Sequence, residues 1–444
     1  MRTSKPNRIK TSLRFSLLDG LFAASMTGMT ADYITPYALT LKATPGHIGL
    51  LSAAPNLASS LIQLKSPALT ERFKSRMIII NSAVLLHALM LVPIILVPYV
   101  FKRQAVWTLI ACVTLFTSLN AFAVPAWSSL MSDHIPYRMR GKFFGWRNRI
   151  LGAVTIVSGF IAGLILHAFH QNVLRGFLII LTVAFVCRMI SWYFLTRMYE
   201  PPLRIRPDAY FSFLDFIKRV KESNFARFVV FVACLNFCVN LAAPFFSVFM
   251  LRDLKFSYLT YTVVVTTVSI TTIFTIDRWG RLADRFGNIK IIKLTSLLIA
   301  SLPLWWVINQ HPAYLVFFQI LSGFAWAGFN LCATNFIYDA VTAQKRLRCI
   351  AYFNVLTGLA LCLGALSGGY LVNRLPPLFG YKILFLFLIS SILRFVVVSS
   401  LSGKIQEVRS AEHIGSRDLF YSVIGMRPSL GIPQDSRQNI REED

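Results

Sequence analysis

Leu282-Ala283-Asp284-Arg285-Phe286 repeats Leu69-Thr70-Glu71-Arg72-Phe73 at a distance of 213 positions, and the match does not stand alone. Leu254-Lys255-Phe256-Ser257 follows Leu41-Lys42-Ala43-Thr44 at the same offset. Farther along, Asp339, Arg346, Asn354 and Arg394 match Asp133, Arg140, Asn148 and Arg188, each 206 positions later. The change of offset falls between the third and fourth helices of each half, where loop length varies at little entropic cost. Matches at two constant offsets mean an internal duplication, and therefore two halves of like topology.

What is duplicated is set by composition. Of 444 residues, 55% are hydrophobic and 14% charged, against about 25% charged in an ordinary soluble domain. The apolar residues gather in runs of about 20, the length that crosses a bilayer core as a helix. A soluble enzyme is excluded. Hydropathy and breaker residues place twelve helices near 15–40, 46–64, 77–101, 105–132, 150–168, 175–197, 226–251, 257–276, 290–308, 312–340, 350–372 and 381–402. The eighth, YLTYTVVVTTVSITTIFTI, has the β-branched composition of a strand, but a lone strand in lipid leaves its backbone unpaired, so helix is expected. The expected fold is all-α and membrane-embedded: an N-tail at 1–14, a six-helix bundle at 15–199, a linker at 200–225, a second bundle at 226–402, and a disordered C-tail at 403–444.

Charge tests this count. With the amino terminus inside, cytoplasmic segments hold 35 of the 45 Lys and Arg and the outer loops hold 8, leaving Arg188 and Arg394 within spans. That asymmetry is the positive-inside bias. It also accounts for the net charge of +26, since the basic residues alternate with spans instead of forming one patch. Anionic membrane lipids are expected partners and nucleic acid is not. The basic start MRTSKPNRIK resembles a signal peptide, but the following run contains Asp19 and Asp32 and lacks an A-x-A site, so it reads as a retained first span with a cytoplasmic amino terminus. Seven cysteines without CxxC pairs or neighbouring His ligands argue against a disulfide framework or a metal site.

Gly280-Arg281-Leu282-Ala283-Asp284-Arg285-Phe286-Gly287 resembles the G-x-x-x-D-R-x-G signature of the major facilitator superfamily, found between the second and third helices of a half. Asp133 followed by Arg138-Met139-Arg140-Gly141 resembles that family's acid-then-RG pattern after the fourth helix. The first-half signature departs from the pattern, with Pro67 and Lys74 at the glycine positions and Glu71 as its acid. In the second half Asn288 stands at a usually basic position. The fifth helix has Gly152, Gly159 and Gly163 but lacks the Gly-Pro dipeptide of many family antiporters, which counts against drug–proton antiport. The resemblance covers residues 15–402. It implies two pseudo-symmetric six-helix bundles rocking around a central site, in a protein that works as a monomer.

It also implies a cytoplasmic gate built from Glu71, Arg72, Arg76, Asp133, Arg140, Gly280, Asp284, Arg285, Asp339 and Arg346. In the family fold the first, fourth, seventh and tenth helices line the cavity, so Asn120, Trp127, Asn236, Asn240, Gln319, Trp326, Asn330 and Asn335 become candidate substrate contacts. Gln319, Trp326 and Asn330 share one helix face by spacing. Asn and Gln also join membrane helices structurally. Asp32, with no basic residue one turn away, is the candidate proton-coupling group, and Asp19, nearer the cytoplasm, is expected to pair with a loop Arg. Arg188 and Arg394 are expected to be structural, bonded to backbone carbonyls or to Asp133 and Asp339. Gly159 with Gly163, and Gly364 with Gly368, have the GxxxG spacing of close helix packing.

No P-loop, HExxH or catalytic triad occurs in a credible context, so neither an enzymatic activity nor a cofactor is expected. The leading function is secondary active transport of a small polar organic solute, with proton symport as a candidate coupling, in a bacterial cytoplasmic (inner) membrane. Efflux of hydrophobic compounds or lipid is the alternative. A transport-inactive scaffold or sensor, using SRDLFYSVIGM in the C-tail, is the alternative of another class.

Overall fold

The computed structural model describes residues 5–135, 139–201, 223–341 and 346–408. The N-terminal half consists of α1 (Lys5–Thr30), α2 (Pro45–Gln63), α3 (Arg76–Leu89, continued by Leu91–Val100), α4 (Ala105–His134), α5 (Arg140–Ala168) and α6 (Val173–Thr196). The C-terminal half consists of α7 (Asn224–Val248), α8 (Tyr258–Phe286), α9 (Asn288–Ile308), α10 (Pro312–Ala340), α11 (Arg346–Arg374) and α12 (Lys382–Leu401). Ten helical stretches are long and apolar enough to cross a membrane. The other two of these helices, α1 and α2, carry Asp19, Pro55, Asn56 and several Ser and Thr, and are packed chiefly against protein. The central linker over 202–222 and the tail over 409–444 lie outside the described residues.

Local chemistry explains the helix ends and breaks. Ser75, Ser223 and Ser257 accept hydrogen bonds from backbone amides in the first turns of α3, α7 and α8, and Thr44 forms a capping box with His47. The span expected as one helix over 15–40 breaks after Thr30 and resumes as Ile34–Thr40. Pro36 has no N–H for the Asp32 carbonyl four residues earlier. Tyr261 supplies the donor instead, with its hydroxyl 2.6 Å from that oxygen. Pro98 likewise frees the Ile94 carbonyl, which Tyr37 Oη reaches at 2.9 Å. Both of these proline-freed carbonyls are thus satisfied by a tyrosine from another element.

Three helices begin or end well beyond the expected limits, α1 among them, since it starts at Lys5 within the stretch expected as an N-tail at 1–14. Most of the Gly280–Gly287 signature forms the last turns of α8, not a loop. α5 starts ten residues before the expected 150, which draws Arg147 off the cytoplasmic loop and into the bundle.

Between the halves, α2 packs on α11 and α5 on α8. Gly163 belongs to the second seam, where a Cβ would overlap the Thr262 side chain. Gly159 faces Gly28 of α1, whereas Gly364 and Gly368 lie against backbone of α7, so only one of the four GxxxG glycines serves the inter-half contact.

Three large hydrophobic clusters define the state of the molecule. At the face away from the termini one cluster joins both halves, from Tyr33, Tyr37 and Leu109 to Phe245, Phe249 and Trp306. At the face carrying the termini each half has its own cluster, around Leu130 and Met131 in one and Phe228 and Phe336 in the other. There the seams end in polar contacts: Asn354 Nδ2 donates to Gln63 Oε1 at 3.3 Å, and Arg149 pairs with Asp277 at 2.7 Å. The halves share a sealed apolar interface on one side and remain separate hydrophobic units on the other.

Candidate functional site

The densest buried polar cluster lies inside the N-terminal half. Asp19 on α1, Arg188 and Ser191 on α6, and Arg147 on α5 are each no more than 6% exposed. Ser191 Oγ donates to Asp19 Oδ1 at 2.6 Å, and Arg188 Nη1 donates to the same Ser191 oxygen at 3.1 Å. The remaining guanidinium donors point to Asn120 Oδ1 at 3.2 Å and His87 Nδ1 at 3.0 Å. Because Nδ1 accepts that bond, the imidazole is neutral with its proton on Nε2. His87 also stacks on Phe116, with ring centroids 3.9 Å apart. Arg147 Nη2 donates to the Ser16 carbonyl at 3.0 Å, while its guanidinium lies 4.9 Å from the Trp127 ring centre.

These side chains border a recess of about 330 Å³, whose lining includes Asp19, Asn120, Trp127, Arg147 and Arg188 together with apolar residues of α1, α3 and α4. A second cavity of about 470 Å³ adjoins it through Thr27 and Asn120, and reaches His87, Asn56 and Asn240. Both are of a size used for small ligands. Asn240 brings in the C-terminal half: its amide donates to the Leu361 carbonyl at 2.6 Å and lies 3.4 Å from Ser52 Oγ.

The expected cavity residues therefore divide. Asn120 lines both cavities, Trp127 the first and Asn240 the second. Asn236 turns back to the Val232 carbonyl of its own helix. Gln319, Trp326, Asn330 and Asn335 line neither cavity; Trp326 meets Phe329 edge-on. Asp32 is exposed at the break after α1, and its carboxylate makes no hydrogen bond or ion pair among the described residues. Asp19 does not pair with a loop Arg, as expected from the sequence, but sits among helix-borne Ser191, Arg188 and Arg147. Arg188 binds side chains, where backbone carbonyls were expected. Arg394 does bind carbonyls, of Ile299 at 3.0 Å and Val239 at 3.3 Å, as well as Ser390 Oγ.

At the terminal face, Arg76 is buried and its Nη1 lies 2.6 Å from Asp133 Oδ2. Its Nη2 donates to the Pro201 carbonyl at 2.8 Å, and Glu200 stands 3.6 Å from Nε. Glu200 also accepts from the Arg76 amide and the Ser75 hydroxyl at the start of α3. The other half repeats the plan with different chemistry. Asn288 Nδ2 donates to Asp339 Oδ2 at 2.9 Å, and Glu407 accepts from the Ile289 amide at 2.7 Å. Gly287 (φ 89°) and Lys74 (φ 52°) stand at the same repeat position, both at positive φ, where glycine is the unstrained choice. Arg72 and Asp284 are exposed, Arg285 lies over the Phe286 ring, and Gly280 sits on the last turns of α8. The side chains of Glu71, Arg140 and Arg346 lie outside the described residues.

Sequence reasoning missed His87, Arg147, Ser191, Glu200 and Glu407. Two signals were present: a lone His within the apolar run Val84–Leu91, and Glu407 following Glu200 in sequence at an offset of 207, one position from the repeat.

Two pseudo-symmetric helical bundles, with a cavity lined from both of them, define an integral membrane protein of the major facilitator transporter fold. The profile described as the MFS_1 like family matches residues 20–387, and the chain belongs to that family. A variant of the nucleoside transporter NupG superposes with a TM-score of 0.69 at 13% identity, covering 88% of this chain and 100% of that one. A D-xylose-proton symporter gives 0.68 at 12%, covering 91% and 99%. A bacterial homologue of the iron transporter ferroportin, in an inward-facing state, gives 0.67 at 14%, covering 90% and 100%. At such identities the likeness concerns the fold. Among curated proteins, Multidrug resistance protein 2 of Bacillus subtilis (strain 168) is 27% identical over 176 residues, which are 39% of this chain and 43% of that relative's length.

Proposed function

We propose that the protein is a secondary active transporter of a small polar organic solute, working by alternating access in a bacterial cytoplasmic membrane. The observation that carries this reading is the recess lined by Asp19, Asn120, Trp127, Arg147 and Arg188, adjoining a cavity that the other half enters through Asn240. Buried charge inside a membrane protein is costly, and its usual use is a solute or ion path. With both termini cytoplasmic, as the distribution of Lys and Arg supports, the conformation is inward-facing. The apolar cluster around Tyr33 and Phe245 then closes the outer side. Opening it requires the inner ends of the two halves, each braced by its own pair, Arg76–Asp133 or Asn288–Asp339, to come together.

Two carboxylates are available for proton coupling. Asp32 is exposed and without a bonded partner, whereas Asp19 lies within the polar cluster. Reconstitution of the purified full chain in liposomes, with solute uptake measured with and without an imposed pH gradient, tests the reading. Gradient-driven accumulation of a polar solute is expected. Loss of gradient dependence in Asp32→Asn, with downhill exchange retained, would assign coupling to Asp32; the same result in Asp19→Asn would assign it to the cluster. Transport of lipophilic dyes alone would sink the polar-solute reading and favour efflux. That second reading is supported by the name of the curated relative and by the apolar walls of the recess.

A further inference from the structure

The recess has an unbalanced charge. Two guanidiniums, Arg147 and Arg188, border it against the single carboxylate of Asp19, and all three are at least 94% buried. No carboxylate among the described residues lies within the 4.0 Å of an ion pair with either Arg. The two cations are not equivalent. Arg188 has His87, Asn120 and Ser191, all uncharged acceptors, around its fork. Arg147 has one carbonyl, that of Ser16, and its Nε is buried with no hydrogen-bond partner. A buried guanidinium short of acceptors costs several kcal/mol unless an anion completes it.

The seat of Arg147 is built for this position. Gly20, next to Asp19, leaves the groove across α1 in which the guanidinium lies; a Cβ there would collide with Arg147 Nη2 and Leu151. Its guanidinium carbon lies over the Trp127 ring. The lining also includes the apolar Ile80, Val84, Ala123, Val124 and Leu151. One unmatched positive charge at an aromatic face, in a small cavity whose remaining lining mixes Asn120, Thr27 and Thr155 with a majority of apolar side chains, calls for one negative charge on a compact, largely apolar body.

We infer that the recess takes an organic monoanion, a carboxylate whose oxygens complete the Arg147 fork while its hydrocarbon or aromatic body lies against Trp127 and the apolar lining. This deepens the proposed function by giving the solute site a charge class, and it rests on the recess being that site. Arg147 is then the residue that selects charge, and Arg188 with Asp19 holds the wall on which the carboxylate end seats.

The test uses the purified full chain in detergent, titrated with benzoate and hexanoate, with benzamide and hexanamide as uncharged matches and with benzylammonium as the opposite charge. Dissociation constants are read by calorimetry and by thermal shift. The carboxylates are expected to bind at least about tenfold more tightly than the amides, and Arg147→Gln to weaken carboxylate binding by about 10- to 100-fold while leaving amide binding unchanged. Arg147→Lys should recover part of the loss, and Arg149→Gln, on the same helix but outside the recess, should change nothing. If Arg147→Gln does not fold, Gly20→Ala displaces the guanidinium instead and is expected to weaken the carboxylates selectively. Equal binding of amides and carboxylates, tighter benzylammonium binding, chloride binding as tightly as benzoate at constant ionic strength, or no carboxylate response each overturns the assignment. Liposome flux, measured in parallel, separates the two claims. Transport of a neutral solute without carboxylate preference overturns the anion and spares transport. Carboxylate binding without flux of any solute does the reverse.

Discussion

Arg188 and Arg394 occupy the same place in the duplicated halves, yet their surroundings have diverged completely. Arg394 is clamped by two backbone carbonyls and Ser390, and borders neither of the two cavities. Arg188 is held by His87, Asn120 and Ser191, and faces a recess. At the repeat offsets, Asp19, His87, Asn120, Arg147 and Ser191 correspond to Val232, Ala300, Trp326, Phe353 and Val397. One half has kept the arginine and packed apolar groups around it; the other has surrounded it with groups that can exchange partners. Carbonyl clamps hold a helix in place, whereas side-chain acceptors can re-form around a ligand, so the two arginines differ in what their surroundings permit.

The comparison can be broken most directly at Arg188. Arg188→Met removes the donor shared by three acceptors and strands the Asp19 carboxylate; a loss of about 3 kcal/mol in stability is expected, together with loss of solute flux. Thermal unfolding and liposome uptake read the two effects separately. Arg394→Met should cost somewhat less, about 2 kcal/mol, because it leaves carbonyls rather than a charge unsatisfied. Solute dissociation constants should not move in this variant; if they do, the two arginines share a role and the asymmetry fails.

Smaller effects sharpen the second asymmetry, between the two gates. Asp133→Asn weakens the pair with Arg76, and because Asp133 is 44% exposed the expected loss is about 1 kcal/mol, reduced by salt. Asn288→Ala in the other half should respond little to salt, since its bond to Asp339 has one neutral partner; a salt response equal to that of Asp133→Asn would dissolve the distinction. Least affected should be Arg149→Gln. The Arg149–Asp277 pair joins the halves, but both side chains are more than 60% exposed, so a change below about 1 kcal/mol is expected in unfolding measurements.

Much of the fold was legible because each of its signals is local. Apolar runs of spanning length, the basic bias of alternate loops and the repeat at 213 and 206 positions all survive being read one segment at a time. Asn120, Trp127 and Asn240 were legible as polar groups in apolar surroundings. Gln319 and Asn330 carried the same signal and line neither cavity, because polarity says that a group needs a partner and not where it finds one. Arg147 was misread for a related reason: placed by charge in a loop, it is drawn into the bundle when α5 begins at Arg140. His87 stood in plain view within an apolar run, but its importance depends on Arg188, 101 positions away.

The sequence by itself determined that this chain is helical, membrane-spanning and duplicated, since bilayer thickness and the insolubility of unpaired backbone in lipid leave few alternatives. Only the tertiary structure decided which arginine faces a cavity, which proline-freed carbonyls are rescued by tyrosines, and which side of the molecule is sealed. Those outcomes depend on groups from 57 to 229 positions apart meeting within hydrogen-bond distance, and a pattern read along one helix carries no record of which neighbour will lie across from it.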